Sequence, residues 1–216
     1  QNFSLLCPTR SQEPKHGKEI CMTQQTDQQT RQQLQGKRVA ILATHGFEES
    51  ELAVPRAALQ EAGVEVHIVS PEKDGIRAWA ETDWGETYQV DTSLSDASEH
   101  DYHGLVLPGG LFNPDTLRQD ETALNFVRSF FQAHKPVAAI CHAPWILINA
   151  GVVEGRKMTS FPSVAQDLRN AGAEWQDSDV VCDSALVTSR KPDDLDAFNA
   201  KLLEELAEGK HQHQHA

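Results

Sequence analysis

The sequence predicts an α/β protein: a three-layer sandwich, in which a mostly parallel sheet carries helices on both faces, plus one hairpin insertion. Three observations predict it. From Lys37 onward short apolar runs alternate with stretches of helical period. Those runs are apolar throughout, as strands buried on both faces are. Glycine and proline turns mark the switches between them. Alternation of this kind sets active groups at the carboxyl ends of the strands.

Residues 38–44 (RVAILAT) form the first buried strand, and 51–62 the first helix, with Leu52, Leu59 and Ala62 on one face and Gly63 at its close. Residues 64–70 (VEVHIVS) form the next strand. Residues 71–91, with Gly75, Gly85, Trp79, Trp84 and Tyr88, read as an exposed hairpin inserted in the pattern. A strand over 104–107 runs into Pro108-Gly109-Gly110, then come a helix over 120–133 and a strand over 136–140. Beyond Cys141 the pattern gives a short helix to Ala150, a strand near Lys157 and a helix over 164–170. A strand pair at 179–182 and 186–189 follows, then a last amphipathic helix opened by Pro192. There is no internal repeat.

Composition narrows the function. The 216 residues suit one domain with a full core, assigned to 37–209. Lys+Arg 19 against Asp+Glu 32 gives a net charge of −13, with no basic patch, which disfavours a nucleic-acid backbone as partner. The longest apolar runs fall far below the roughly 20 residues of a membrane span, and no export signal is expected. Residues 1–36 hold nine Gln and no sustained period, and read as a disordered tail or appended extension in which Met22 offers a start. Residues 210–216, with alternating histidines, read as a tag-like tail and not as a metal site. Cys7, Cys21, Cys141 and Cys182 lie far apart without a C-x-x-C, which favours free thiols in a reducing, cytoplasmic setting.

Three strand ends carry chemistry and converge if the architecture holds. At Ala139-Ile140-Cys141-His142-Ala143 a buried strand meets a helix at a cysteine with small residues two before and two after, the spacing of a nucleophile elbow. A helix N-terminus favours thiolate. If the thiol pKa fell from about 8.5 to about 5.5, thiolate at neutral pH would rise from about 3% to about 97%. The bland alternative is a small buried hydrophobe ending a strand, which polar His142 argues against. At the second strand end, Gly109 and Gly110 lack Cβ and let backbone N–H groups approach a ligand, so Gly110 and the His142 amide are candidate oxyanion donors. The third, His45-Gly46-Phe47-Glu48-Glu49-Ser50-Glu51, leads acids into a helix. Glu49 reads as dipole complementarity; Glu48 or Glu51 either does the same or points a partly protonated carboxyl at the sulfur. Cys182 reads as an inert strand residue, and His67 and His134 as structural or solvent-facing.

Taken together, these residues resemble the PfpI-type intracellular proteases, within the superfamily that includes the parkinsonism-associated deglycase. The matches run through the domain in order: GFEESE at 46–51, LVLPGG at 105–110, AICHAP at 139–144, AG at 150–151, GRK at 155–157, NAGAEW at 170–175 and TSRKPDDL at 188–195. The resemblance implies a flavodoxin-like fold of the class I glutamine amidotransferase kind, with nucleophile Cys141, oxyanion donors Gly110 and His142, and a glutamate near the sulfur. By position that glutamate is Glu51, with Glu48 lining the same pocket. The resemblance also implies a homo-oligomer in which an acid after the Pro-Gly-Gly turn, here Asp115, completes His142 of a neighbouring subunit. Between His142 and the terminal histidines there is no other histidine, so the downstream Cys-then-His pair of the amidotransferases is not available. Phe161 stands where close relatives often carry tyrosine, and Asp115 is shorter than the glutamate it replaces.

The reading is a stress-protective cysteine hydrolase that needs no cofactor. Its substrates are reactive carbonyls or glycated groups, and peptides in the protease manner. The alternative is an oxidative-stress sensor or chaperone that works by oxidation of Cys141. A further option makes the hairpin, with Trp79 and Trp84, an interaction module, although those rings are expected to pack within the hairpin or between subunits.

Overall fold

A computed structural model describes residues 29–210. Cys7, Cys21, Met22 and the histidines of 211–215 lie outside the described residues. In chain order the elements are β1 (Arg38–Leu42), α1 (Glu49–Glu61), β2 (Glu65–Ser70), the hairpin β3 (Ile76–Ala80) and β4 (Asp83–Tyr88), β5 (Thr92–Ser93) and β6 (Gly104–Leu107). They continue with α2 (Phe112–Leu117), α3 (Glu121–Gln132), β7 (Val137–Ile140), α4 (Pro144–Ala150), β8 (Lys157–Met158), α5 (Ala165–Asn170), β9 (Glu174–Trp175), β10 (Val180–Asp183), β11 (Leu186–Ser189) and α6 (Leu195–Glu208).

Seven strands form the main sheet in the order β10-β11-β7-β6-β1-β2-β5. Every pair is parallel except β10 with β11. Period-two alternation divides its side chains between two apolar layers. Ala40, Leu42, Leu105, Leu107, Val137 and Ala139 face the layer built with α3 and α4. Val39, Ile41, Val106, Ala138 and Ile140 face the layer shared with α1, α6 and the hairpin residues Ile76 and Ala78. Both faces are covered, which is why the strands read as continuous apolar runs.

The helices follow from similar local rules. On α3, Ala123, Leu124, Phe126, Val127, Phe130 and Phe131 are buried, a stripe of helical period. Asp120 caps it by accepting from the Thr122 and Ala123 amides at 2.8 and 3.4 Å. Gly63, at φ +84°, turns the chain out of α1 into β2.

The structure departs from expectation at three places. Residues 29–34, read as part of a tail, are helical, and Leu34 is fully buried. One apolar anchor among glutamines leaves no period to read, yet Lys37 Nζ also donates to the Leu206 carbonyl and ties this end to α6. Helix α2 and the edge strand β5 were not expected, because each is too short to show periodicity. No helix among the described residues is long and apolar enough to cross a membrane.

Candidate active site

The strand β7 ends at Cys141, which takes φ +64° before the chain enters α4. A non-glycine residue in that region costs on the order of 1–3 kcal/mol and persists where its neighbours fix it. Here the Cys141 N–H donates to the Ser189 carbonyl at 3.0 Å, and the Cys141 carbonyl accepts from the Phe161 N–H at 2.9 Å. Ala139 and Ala143, the small flanks of the elbow, are fully buried.

The turn after β6 is built against this cysteine. At φ +80°, Gly110 lies so close to the 46–48 loop that a Cβ would stand 2.5 Å from the Gly46 carbonyl oxygen and 2.8 Å from the Glu48 nitrogen. A Cβ on Gly109 would stand 2.7 Å from both the Cys141 Cβ and Glu51 Oε2. Asn113, fully buried on α2, donates through Nδ2 to the carbonyls of Pro108 at 2.8 Å and Gly109 at 3.2 Å. Its Oδ1 accepts from the Thr44 amide at 2.8 Å, which locks the turn to the end of β1. The backbone N–H groups of Gly110 and His142 both act on the Cys141 sulfur.

Glu51 sits beneath that sulfur. It is fully buried; Oε2 accepts from the Gly109 amide at 2.8 Å, and Oε1 has no ordinary hydrogen-bond partner among the described residues. Burial lifts its pKa to about 8, and the Gly109 hydrogen bond only partly opposes this. At neutral pH it is a neutral carboxyl beside the thiol.

Burial works against the thiolate expected of Cys141: it pushes the thiol pKa up, and the amides of Gly110 and His142 oppose this. Desolvation outweighs the dipole of a helix of 7 residues. The proton has a taker instead: His142 Nδ1 lies 3.0 Å from Sγ, and burial lowers the imidazole pKa, so it rests neutral. His142 Nε2 meets Ser163 Oγ at 3.1 Å. Phe161 stacks on the ring at 4.8 Å between centroids, and Trp145 meets it edge-on at 5.1 Å.

Cys141 opens into a cavity of about 340 Å³ whose lining includes Glu48, Glu51, Gly110 and His142 from the sequence-based set. Gly109 backs it through Glu51. Asp115 is not among the lining residues of its own chain: it sits half-exposed on α2 and pairs with Arg118 at 2.7 Å. Sequence reasoning missed Ser163, Trp79, Glu81, Leu111, Phe112 and Pro192. The hairpin is a wall of the cavity, not a separate module: the Trp79 N–H donates to the Phe47 carbonyl at 2.7 Å. The TSRKPDDL run anchors the Pro192 side, since Arg190 pairs with Asp177, Asp179 and Asp194. Cys182 lies half-buried on β10; burial first, then Glu205, pushes its thiol to about 12. No group of three or more His, Cys, Asp or Glu among the described residues is arranged to hold a metal ion.

A doubly covered parallel sheet with a strained cysteine elbow, a glycine turn and a buried glutamate at its strand ends defines a class of α/β proteins with a thiol at the centre. Within that class the chain belongs to the DJ-1/PfpI family, which it matches over residues 37–205. It is 43% identical over 173 residues to General stress protein 18 of Bacillus subtilis (strain 168), covering 78% of this chain and 96% of the relative. It is 41% identical over 168 residues to Protein/nucleic acid deglycase 2 of Escherichia coli (strain K12), covering 77% and 96%. The crystal structure of Drosophila melanogaster DJ-1beta superposes with a TM-score of 0.73 at 31% identity, over 79% of this chain and 90% of that one.

Proposed function

We propose that the chain is a stress-protective cysteine hydrolase acting on reactive carbonyls or glycated groups. The observation that carries this is the contact of Cys141 Sγ with His142 Nδ1 at 3.0 Å at the floor of an open cavity. As the sulfur attacks a carbonyl carbon, its proton passes to Nδ1 and the carbonyl π pair moves to oxygen, which the amides of Gly110 and His142 are positioned to receive. With methylglyoxal the adduct is a hemithioacetal. Shift of its hydrogen to the adjoining carbonyl carbon gives a thioester, and hydrolysis releases a hydroxy acid and the thiol. On an early glycated group, an aminocarbinol or hemithioacetal, the sulfur instead displaces the amine or thiol at the carbinol carbon: the C–S bond to Cys141 forms as the C–N or C–S bond to the leaving group breaks. His142 returns the thiol proton to that group, and the same hemithioacetal is left on Cys141. On a peptide, attack at the carbonyl carbon expels the amine and gives an acyl-enzyme.

The family membership and the name of the Escherichia coli relative support a deglycase class of reaction. The proposal extends to a homo-oligomer in which Asp115 reaches a neighbour's His142, and to a cytoplasmic, reducing setting that keeps the thiol free. The test is consumption of methylglyoxal, a glycated peptide and a denatured protein by wild type and Cys141→Ala. Removing the nucleophile abolishes turnover of the true substrate; methylglyoxal loss at the wild-type rate in the variant ends the reading.

Glu51 favours a second reading. A neutral carboxyl beside the sulfur can donate to a sulfinate oxygen, so the site also suits a peroxide sensor. Mass spectrometry after mild peroxide separates the two, because a stable two-oxygen adduct on Cys141 in a protein without turnover belongs to the sensor.

A further inference from the structure

The turn after β6 holds two peptide groups whose directions decide what the Cys141 sulfur meets. A planar trans peptide points its C=O and its N–H to opposite sides. In the peptide between Pro108 and Gly109, the N–H donates to Glu51 Oε2 at 2.8 Å. In the next one, between Gly109 and Gly110, the N–H faces the sulfur. The two carbonyl oxygens therefore point away from the site, and one side-chain amide takes both: Asn113 Nδ2 donates to Pro108 at 2.8 Å and to Gly109 at 3.2 Å.

Glycine by itself does not fix these directions. Gly110 stands at φ +80°, the value of the third residue of a type II turn. Rotating the Gly109-Gly110 peptide by half a turn carries Gly110 to negative φ, which glycine populates about as readily. A carbonyl oxygen then faces the sulfur, and it repels the oxyanion that the N–H is there to receive. Asn113 opposes that rotation. Its side chain is fully buried, so a flipped Gly109 carbonyl leaves an Nδ2 hydrogen without an acceptor. The amide is not free to turn over either. Its Oδ1 accepts from the Thr44 N–H at 2.8 Å, a donor that needs an acceptor just as the two carbonyls need donors. Through Thr44 the peptide pair is referenced to the end of β1.

We propose that Asn113 is a positioning residue that holds the Gly109-Gly110 peptide in the orientation whose N–H serves as oxyanion donor. Its effect on turnover rests on the Cys141 chemistry proposed above, whereas its effect on the sulfur does not.

Two variants test it. Asn113→Leu has a similar shape and no donor. Asn113→Asp, when neutral, still accepts from Thr44 and returns one hydrogen to the two carbonyls. Asn113→Leu lowers kcat for methylglyoxal about 10²-fold and leaves KM nearly unchanged, because the oxyanion forms only on the way to the adduct. Alkylation of Cys141 by iodoacetamide at neutral pH, followed by peptide mass spectrometry, slows about threefold to tenfold, since the lost amide no longer favours the thiolate. A turn that is merely loosened gives the opposite sign, because a sulfur that is 7% exposed becomes more accessible. Asn113→Asp falls between leucine and wild type, and it loses more toward alkaline pH, where its carboxylate donates nothing. If the leucine variant does not fold, the aspartate variant decides. Wild-type kcat in a folded leucine variant overturns the proposal, as do faster alkylation in it and an aspartate variant equal to wild type between about pH 6 and pH 9. Slowed alkylation in a protein whose wild type leaves methylglyoxal untouched keeps Asn113 in its role and sinks the carbonyl chemistry. Wild-type turnover that Asn113→Leu does not change does the reverse.

Discussion

Proton positions decide how this site works. The tautomer of His142 that accepts the thiol proton at Nδ1 carries its hydrogen on Nε2, which donates to Ser163 Oγ at 3.1 Å. That bond strengthens when the ring becomes imidazolium, so Ser163 is a positioning residue that makes His142 a better base. Ser163→Ala lowers kcat about threefold to tenfold and moves the acidic limb of the kcat/KM profile down by up to about one pH unit. Ser163→Thr restores both; an unmoved profile denies the role. Glu51 gives a second prediction. It titrates near 4.5 when unfolded and about 8 when folded, so between those values the folded state holds a proton that the unfolded state has lost. Stability therefore falls as pH rises through that window. Glu51→Gln keeps the acceptor for Gly109 without the titration, and gains on the order of 2–4 kcal/mol over wild type between pH 5 and pH 8 in urea unfolding. A difference that stays constant with pH contradicts a neutral Glu51. Much of this scale was legible: small-x-Cys-x-small marks an elbow because only small flanks fit it, and Gly110 stands where the turn puts it, whereas Glu51 was set apart from Glu48 only by the family resemblance. The ionisation of Cys141 was not legible, because its desolvation is set by residues far away in sequence. Ser163, 21 residues beyond His142, meets the ring solely through the return of the chain.

Among the elements, the glycine turn and α3 bear different loads. Gly109→Ala sets a methyl 2.7 Å from the Cys141 Cβ and Glu51 Oε2 and 2.8 Å from the Ile140 carbonyl oxygen. Two of those neighbours belong to the rigid elbow, so the turn moves away and the Gly110 amide with it. Activity falls about 10²–10³-fold, the effect of a lost oxyanion donor, and thermal unfolding still shows a folded protein. Phe130→Ala has the converse signature. This ring is fully buried on α3 against Phe126, at 5.1 Å between centroids, and its loss costs about 3–5 kcal/mol of stability, measured by denaturant unfolding, with no direct effect on the cavity. Element reading succeeded where period and caps agree, as on α3 behind Asp120. The strands β10 and β11 were equally plain. It failed for the docking of the hairpin: the pattern showed two strands and a turn, but the bridge between Glu48 and Trp79 that makes them a wall is a tertiary pairing without sequence periodicity.

At the scale of the whole molecule, the geometry bears on whether one chain suffices. Asp115 on α2 pairs with Arg118 just past its end, the Arg118 guanidinium lies 4.9 Å from the centroid of Trp145, and Trp145 meets His142 edge-on. That end of α2 therefore lies on the His142 side of the molecule. Ser163 occupies His142 Nε2 from within the chain, so a neighbour's Asp115 must displace or share that bond and give up Arg118 to do so. If the neighbour supplies the acid, Asp115→Asn and Cys141→Ala are each inactive alone for different reasons, and mixing them restores function. In a dimer exchanged at equal amounts, half of the molecules are mixed, and each of those has one complete site out of two. Recovery then reaches about a quarter of the wild-type activity per site, and it disappears when subunit exchange is blocked by cross-linking each variant beforehand. If Ser163 alone orients the imidazole, Asp115→Asn retains its activity and light scattering shows no dependence of kcat on oligomer size. The quarter-recovery is the sharper observable, since a variant that has merely lost stability cannot lend an intact carboxylate to another chain's histidine.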